Sequence, residues 1–107
     1  MPVKRYEIWI DEDNLIFVYF TTIKGEIVDF VVKYISYIDE ELYEILRYDC
    51  GHGVPHIDVL DPKGNTIEKQ WLPHLNFKQA LTSARYDIEH NYTFYRERFI
   101  KWLKEKN

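Results

Sequence analysis

The stretch NFKQALTSARYDIEHNYTFYRERFIKWLK, residues 76–104, decides the fold. Asn76 is a residue type that caps helix N-termini, and nothing from Phe77 to about Lys104 breaks a helix. At 100° per residue, Phe77, Ala80, Leu81, Ala84, Ile88, Tyr92, Tyr95, Phe99, Trp102 and Leu103 share one sector roughly 140° wide, the signature of an amphipathic helix laid on a core. About 28 residues at 1.5 Å each make a rod of roughly 42 Å, longer than a small sheet is wide. The turns carrying Phe99, Ile100, Trp102 and Leu103 are therefore expected to overhang the sheet and to need a partner. Lys101, Lys104 and Lys106 suit the negative end of the helix dipole.

Upstream of this helix the periodicity is two rather than 3.6. Lys4 to Ile10 alternates, with Tyr6, Ile8 and Ile10 on one face and Arg5, Glu7 and Trp9 on the other, as a half-buried strand does. Leu15 to Thr22 is apolar and β-branched on both faces, which marks a central or doubly covered strand. Glu26 to Ile38 is long for a single strand, so a bulge or bend is expected within it. Leu42 to Asp49, His56 to Leu60 and Thr66 to Trp71 complete the set. Lys24-Gly25, Asp39-Glu40-Glu41 and Asp61-Pro62-Lys63-Gly64-Asn65 supply turns. The chain reads as one α+β domain over residues 1–107, with an antiparallel sheet of five or six strands followed by one long C-terminal helix on one face.

Aromatic residues make up 17% of the 107 positions, more apolar surface than one sheet face consumes. A second copy of the chain is the expected cover for the other face, giving a homodimer. The formal charge of −4 argues against coating nucleic acid by bulk electrostatics but leaves room for a local basic patch. A single Cys forms no internal disulfide framework and fits a reducing compartment. No apolar leader follows Met1-Pro2-Val3-Lys4-Arg5, and no apolar run approaches the roughly 20 residues that span a bilayer. The expectation is a soluble cytoplasmic protein without a membrane partner.

One segment gathers chemistry. Arg47-Tyr48-Asp49-Cys50-Gly51-His52-Gly53-Val54-Pro55-His56-Ile57-Asp58 holds an Arg, two Asp, two His and the one Cys within twelve residues. Alternation puts His56 and Asp58 on one face of their strand and Arg47 and Asp49 on one face of theirs. A hairpin across Cys50 to Pro55 would bring those four side chains together near His52. Such a set suits metal-independent RNA cleavage, with His52 and His56 as the acid/base pair and Asp49 or Asp58 orienting an imidazole. Arg47 would stabilise charge on the phosphate and Tyr48 would stack on a base. Asn91 and Arg98, polar residues at the edge of the helix's apolar sector, are candidate substrate contacts, with Asp87 one turn away. Cys50, His52, His56 and Asp58 are four potential zinc ligands, but their spacing matches no zinc pattern, and no metal or cofactor is expected. A purely structural reading also stands: two glycines make a tight connection, Pro55 fixes strand entry, and the His and Asp residues tie the loop to itself.

Through Arg47-Tyr48-Asp49, Gly53-x-Pro55-His56-x-Asp58 and Asp87-Ile88-x-x-Asn91, the chain resembles a family of small prokaryotic proteins and, more distantly, the TumE-like toxins of toxin–antitoxin modules. That second resemblance implies an RNA-degrading toxin with an antitoxin protein as partner. The alternative from another class is a non-catalytic protein-interaction module with a structural His loop.

Overall fold

In the computed structural model, which describes residues 2–105, the strands are β1 (Val3–Trp9), β2 (Asn14–Ile23), β3 (Glu26–Ile38), β4 (Glu41–Asp49), β5 (His56–Leu60) and β6 (Thr66–Trp71). A single 3-10 turn at Gly51–Gly53 separates β4 from β5, and α1 (Phe77–Glu105) closes the order. Lys106, expected at the basic end of the helix, lies outside the described residues.

The strands form one antiparallel meander in the order β1-β2-β3-β4-β5-β6, so every sheet neighbour is also a sequence neighbour. Tight turns make this possible. Lys24 and Gly25 between β2 and β3, and Asp39 and Glu40 between β3 and β4, all have positive φ, the backbone whose twist matches the flanking strands of a two-residue hairpin. At the β5–β6 turn Asp61 Oδ1 accepts from Lys63 N and Asn65 N, each at 2.9 Å. The irregularity expected in β3 falls at Val28, which pairing skips between Thr21↔Asp29 and Thr22↔Ile27; β4 has its own at Ile45.

Alternation and register then sort every side chain. Tyr6, Val18, Val32, Tyr48 and Ile57 line up across five strands on the face that the helix covers. There Ile16, Val18, Phe30, Val32, Tyr34, Leu46 and Tyr48 are buried against Ala80, Leu81, Ala84, Ile88 and Phe99. Each large side chain so buried contributes about 1.5–3 kcal/mol. Asn76 opens the helix with reciprocal bonds: its Oδ1 accepts from Gln79 N at 2.8 Å, and its own N–H donates to Gln79 Oε1 at 2.9 Å.

The expected overhang of the C-terminal turns does not occur. Phe99 is 0% exposed and packs against Tyr43 with ring centroids 5.3 Å apart. The expectation compared the helix with the sheet's width, whereas the helix runs along β3, meeting Phe30 at Phe77 and Tyr34 at Tyr92. Thirteen strand residues and 29 helix residues both come to roughly 43 Å. No helix of the described residues is long and apolar enough to cross a membrane.

Candidate functional site

The face of the sheet away from the helix carries two cross-strand rows. One runs Arg5, Tyr19, Val31, Asp49, His56, Trp71; the next runs Glu7, Phe17, Lys33, Arg47, Asp58, Lys69. Among the described residues no helix or loop covers them all, so the face is open. Its middle is polar because β4 and β5 contribute Asp49, His56 and Asp58 there instead of aliphatics.

These three side chains meet. His56 Nε2 is 2.8 Å from Asp49 Oδ1 and 3.6 Å from Asp58 Oδ2. The other ring nitrogen, Nδ1, is 3.0 Å from the Val54 carbonyl oxygen. Asp49 Oδ1 also accepts from Gly51 N at 2.9 Å, which ties the turn to the pair. Lys69 Nζ sits 3.0 Å from Asp58 Oδ1, and the Trp71 ring lies 5.0 Å from the imidazole. Under that cover His56 is 2% and Asp58 5% exposed. Both nitrogens of His56 thus face oxygen acceptors.

Around this centre the rows alternate cations with rings. Arg5 lies 5.8 Å from the centre of the Tyr19 ring, Lys33 5.8 Å from Phe17, and Lys69 5.2 Å from Trp71. Arg47 is beside Asp58 in register, yet its Nε donates to Glu44 Oε2 at 2.7 Å, and Lys33 Nζ reaches Glu44 Oε1 at 3.2 Å.

Of the residues picked out by sequence, Arg47, Asp49, His56 and Asp58 share this face and the other four do not. His52, at φ 68, occupies the exposed 3-10 turn and makes no hydrogen bond or ion pair with the group among the described residues, so the expected His52–His56 pair is not assembled. Tyr48 points the opposite way, because successive strand residues alternate. It is 4% exposed and donates to Asp87 Oδ2 at 2.6 Å, which removes it from stacking on a base. Asn91 donates to Asp87 Oδ1 at 2.7 Å, and the Arg98 guanidinium lies over Phe94, Tyr95 and Trp102. Both belong to the helix side. Burial pushes the Cys50 thiol up to about 11, and its Sγ is held between Phe30 N and Asp29 Oδ1. The four-ligand set of Cys50, His52, His56 and Asp58 is therefore not brought together.

Lys33, Lys69 and Trp71 escaped sequence reading, although one signal was there. Once β5 and β6 are taken as a hairpin, the parity that puts His56 and Asp58 on one face puts Lys69 and Trp71 beside them. Lys33 is found only through the β3–β4 register, which depends on the bulge at Ile45.

Elsewhere, a groove of about 870 Å³ lies where Gly53–Pro55 and the β6–α1 connection meet the end of β2, lined by Phe20, Ile27, Val54, Leu75 and Phe77 among others. Its ionisable lining residues are Glu26 and Lys78, which gives it no acid/base cluster.

A family model described as a domain of unknown function, DUF7718, matches residues 1–105. Comparison with curated proteins and with solved structures finds no match.

Proposed function

We propose that this chain, which belongs to the DUF7718 family, binds single-stranded RNA across the open face of its sheet. The observation that supports this is the repeated pairing of a cation with a ring: Arg5 with Tyr19, Lys33 with Phe17 and Lys69 with Trp71. Rings offer bases a stacking surface and the neighbouring cations meet the backbone, without any need for a basic protein overall. Trp9 at 55% and Trp71 at 48% exposure mark the two margins of that surface. The reading is binding rather than cleavage. An acid/base pair needs reachable nitrogens, whereas His56 is covered and both its nitrogens are engaged. The second copy expected from sequence as cover for this face would compete with RNA for it.

Fluorescence anisotropy with a labelled, unstructured RNA of about 12 nucleotides tests it. Affinity should fall as salt rises, and Trp71→Ala should weaken it by about tenfold, the worth of one stacked base. No binding at low salt, or binding indifferent to Trp71→Ala and Lys33→Ala together, would favour the protein-interaction reading. Oligonucleotide shortened during the assay would restore cleavage.

A further inference from the structure

We infer that Asp49, His56 and Asp58 form a site for one first-row divalent cation, bound through His56 Nε2 and one oxygen of each carboxylate. The inference goes beyond RNA binding and stands independently of it. It starts from a proton count. The Val54 carbonyl, 3.0 Å from Nδ1, only accepts, so Nδ1 carries the proton of that pair. Nε2 then faces Asp49 Oδ1 at 2.8 Å and Asp58 Oδ2 at 3.6 Å, two more acceptors. With a neutral ring, a lone pair and two carboxylate oxygens would converge with nothing positive between them. His56 is 2% and Asp58 5% exposed, so water does not relieve that convergence. Either a proton or a metal ion has to fill the gap.

Three features suit a metal ion there. An Nδ1–H held by a backbone carbonyl with Nε2 directed forward is how proteins orient metal-binding histidines. Bonds of about 2.0–2.2 Å place neighbouring donors roughly 3.0–3.5 Å apart. The two Nε2···O separations of 2.8 and 3.6 Å bracket that range, and one donor atom from each of the three residues lies within 4.8 Å of the others. Lys69 engages Oδ1 of Asp58 and leaves Oδ2 turned to the ring. One nitrogen with two carboxylates suits Zn²⁺, Co²⁺, Fe²⁺ or Mn²⁺ better than Ca²⁺ or Mg²⁺, which prefer all-oxygen cages. The Asp49 side chain, 18% exposed, provides the way in.

The test uses the tag-free full chain, treated with chelator and then titrated with Zn²⁺ by calorimetry and with Co²⁺ by visible absorption. One equivalent should bind, Co²⁺ should give ligand-field bands, and the melting midpoint should rise by about 10–15 °C at a hundredfold excess over Kd. Binding should vanish in His56→Asn and Asp49→Asn and persist in Cys50→Ser and His52→Ala. No binding by the wild-type chain, binding retained in His56→Asn, or binding lost in His52→Ala overturns the site. Because His56→Asn alters a buried residue, imidazole ¹⁵N spectra of the wild-type chain provide a second measurement. Nε2 of His56 should lose its proton signature as Zn²⁺ is added; a proton kept there in excess Zn²⁺ also overturns the site.

Discussion

Tyr48 and Asp49 are consecutive in β4 and open onto opposite polar clusters. Beneath the helix, Asp87 gathers the hydroxyls of Tyr48 and Tyr95 at 2.6 and 2.8 Å and the amide of Asn91 at 2.7 Å, so one acceptor group meets three donors of its own chain. On the open face, one ring meets acceptors at both nitrogens. The first cluster closes its hydrogen bonding internally and fastens a helix to a sheet. The second sets His56 Nε2 between two carboxylate oxygens, where a proton or a metal ion completes it. A polar cluster complete in itself fastens elements together, whereas one whose acceptors converge on a single point calls for a further explanation, a proton or a bound ion.

Removing the acceptor from the closed cluster should have the largest effect. Asp87→Ala strands two phenolic hydroxyls between helix and sheet, at a cost of roughly 2–4 kcal/mol, measurable by urea denaturation. Asp87→Asn, which keeps one acceptor, should lose about half as much. If Asp87→Ala unfolds at the wild-type midpoint, the cluster is not closed as described. Alkali should attack the same place. Burial and then Asp87 hold Tyr48 and Tyr95 well above the ordinary tyrosine value of 10.0, and burial pushes Tyr34 up to about 12. The folded chain therefore keeps protons that the unfolded chain releases above pH 10. Stability, fully present below that pH, should fall above it by up to roughly 1.4 kcal/mol per pH unit for each of these tyrosines. Phenolate absorbance read alongside urea midpoints between pH 9 and 11 checks this; a flat profile would contradict it.

The contrast between the clusters also explains what the sequence reveals. Strand and helix bounds are legible to within a residue or two because period two gives way to period 3.6 at Asn76, and because the turns are built from Gly, Asp and Asn. The convergence of Asp49, His56 and Asp58 follows from parity plus one hairpin. The residues that fall outside the open face share a cause: Tyr48 is adjacent in sequence to the cluster but opposite in space, and Asn91 and Arg98 lie on an element that packs on the other face. The role of Asp87 was hidden because sequence does not say which strand residue meets which helical turn. His52 is not gathered with His56 because a left-handed turn residue points where the turn directs it, independently of strand alternation.

On the open face the effects should be smaller. Lys69→Ala leaves the Asp58 carboxylate without its cation, yet Lys69 is 36% exposed and water softens the loss. About 1 kcal/mol is expected by urea denaturation, and the divalent cation proposed here should recover it. A loss as large as that of Asp87→Ala would mean that the open-face cluster is as self-contained as the covered one.

The smallest effect on stability is expected at Arg47, and for that reason it is the sharpest probe of the open face. Arg47 is tied to Glu44 with both partners partly exposed, at 34% and 23% of their side chains, and such surface pairs contribute little. Glu44 retains Lys33 at 3.2 Å when Arg47 is removed, so no buried charge is orphaned. Arg47→Ala should therefore move the urea midpoint by no more than about 0.5 kcal/mol. If the face binds RNA, the same variant should lower affinity and reduce the steepness of the salt dependence by about one unit, because one phosphate contact is gone. Stability and binding then separate in a single substitution. Unchanged RNA affinity would remove Arg47 from the surface that binds, and a large loss of stability would place it among the groups that hold the sheet together.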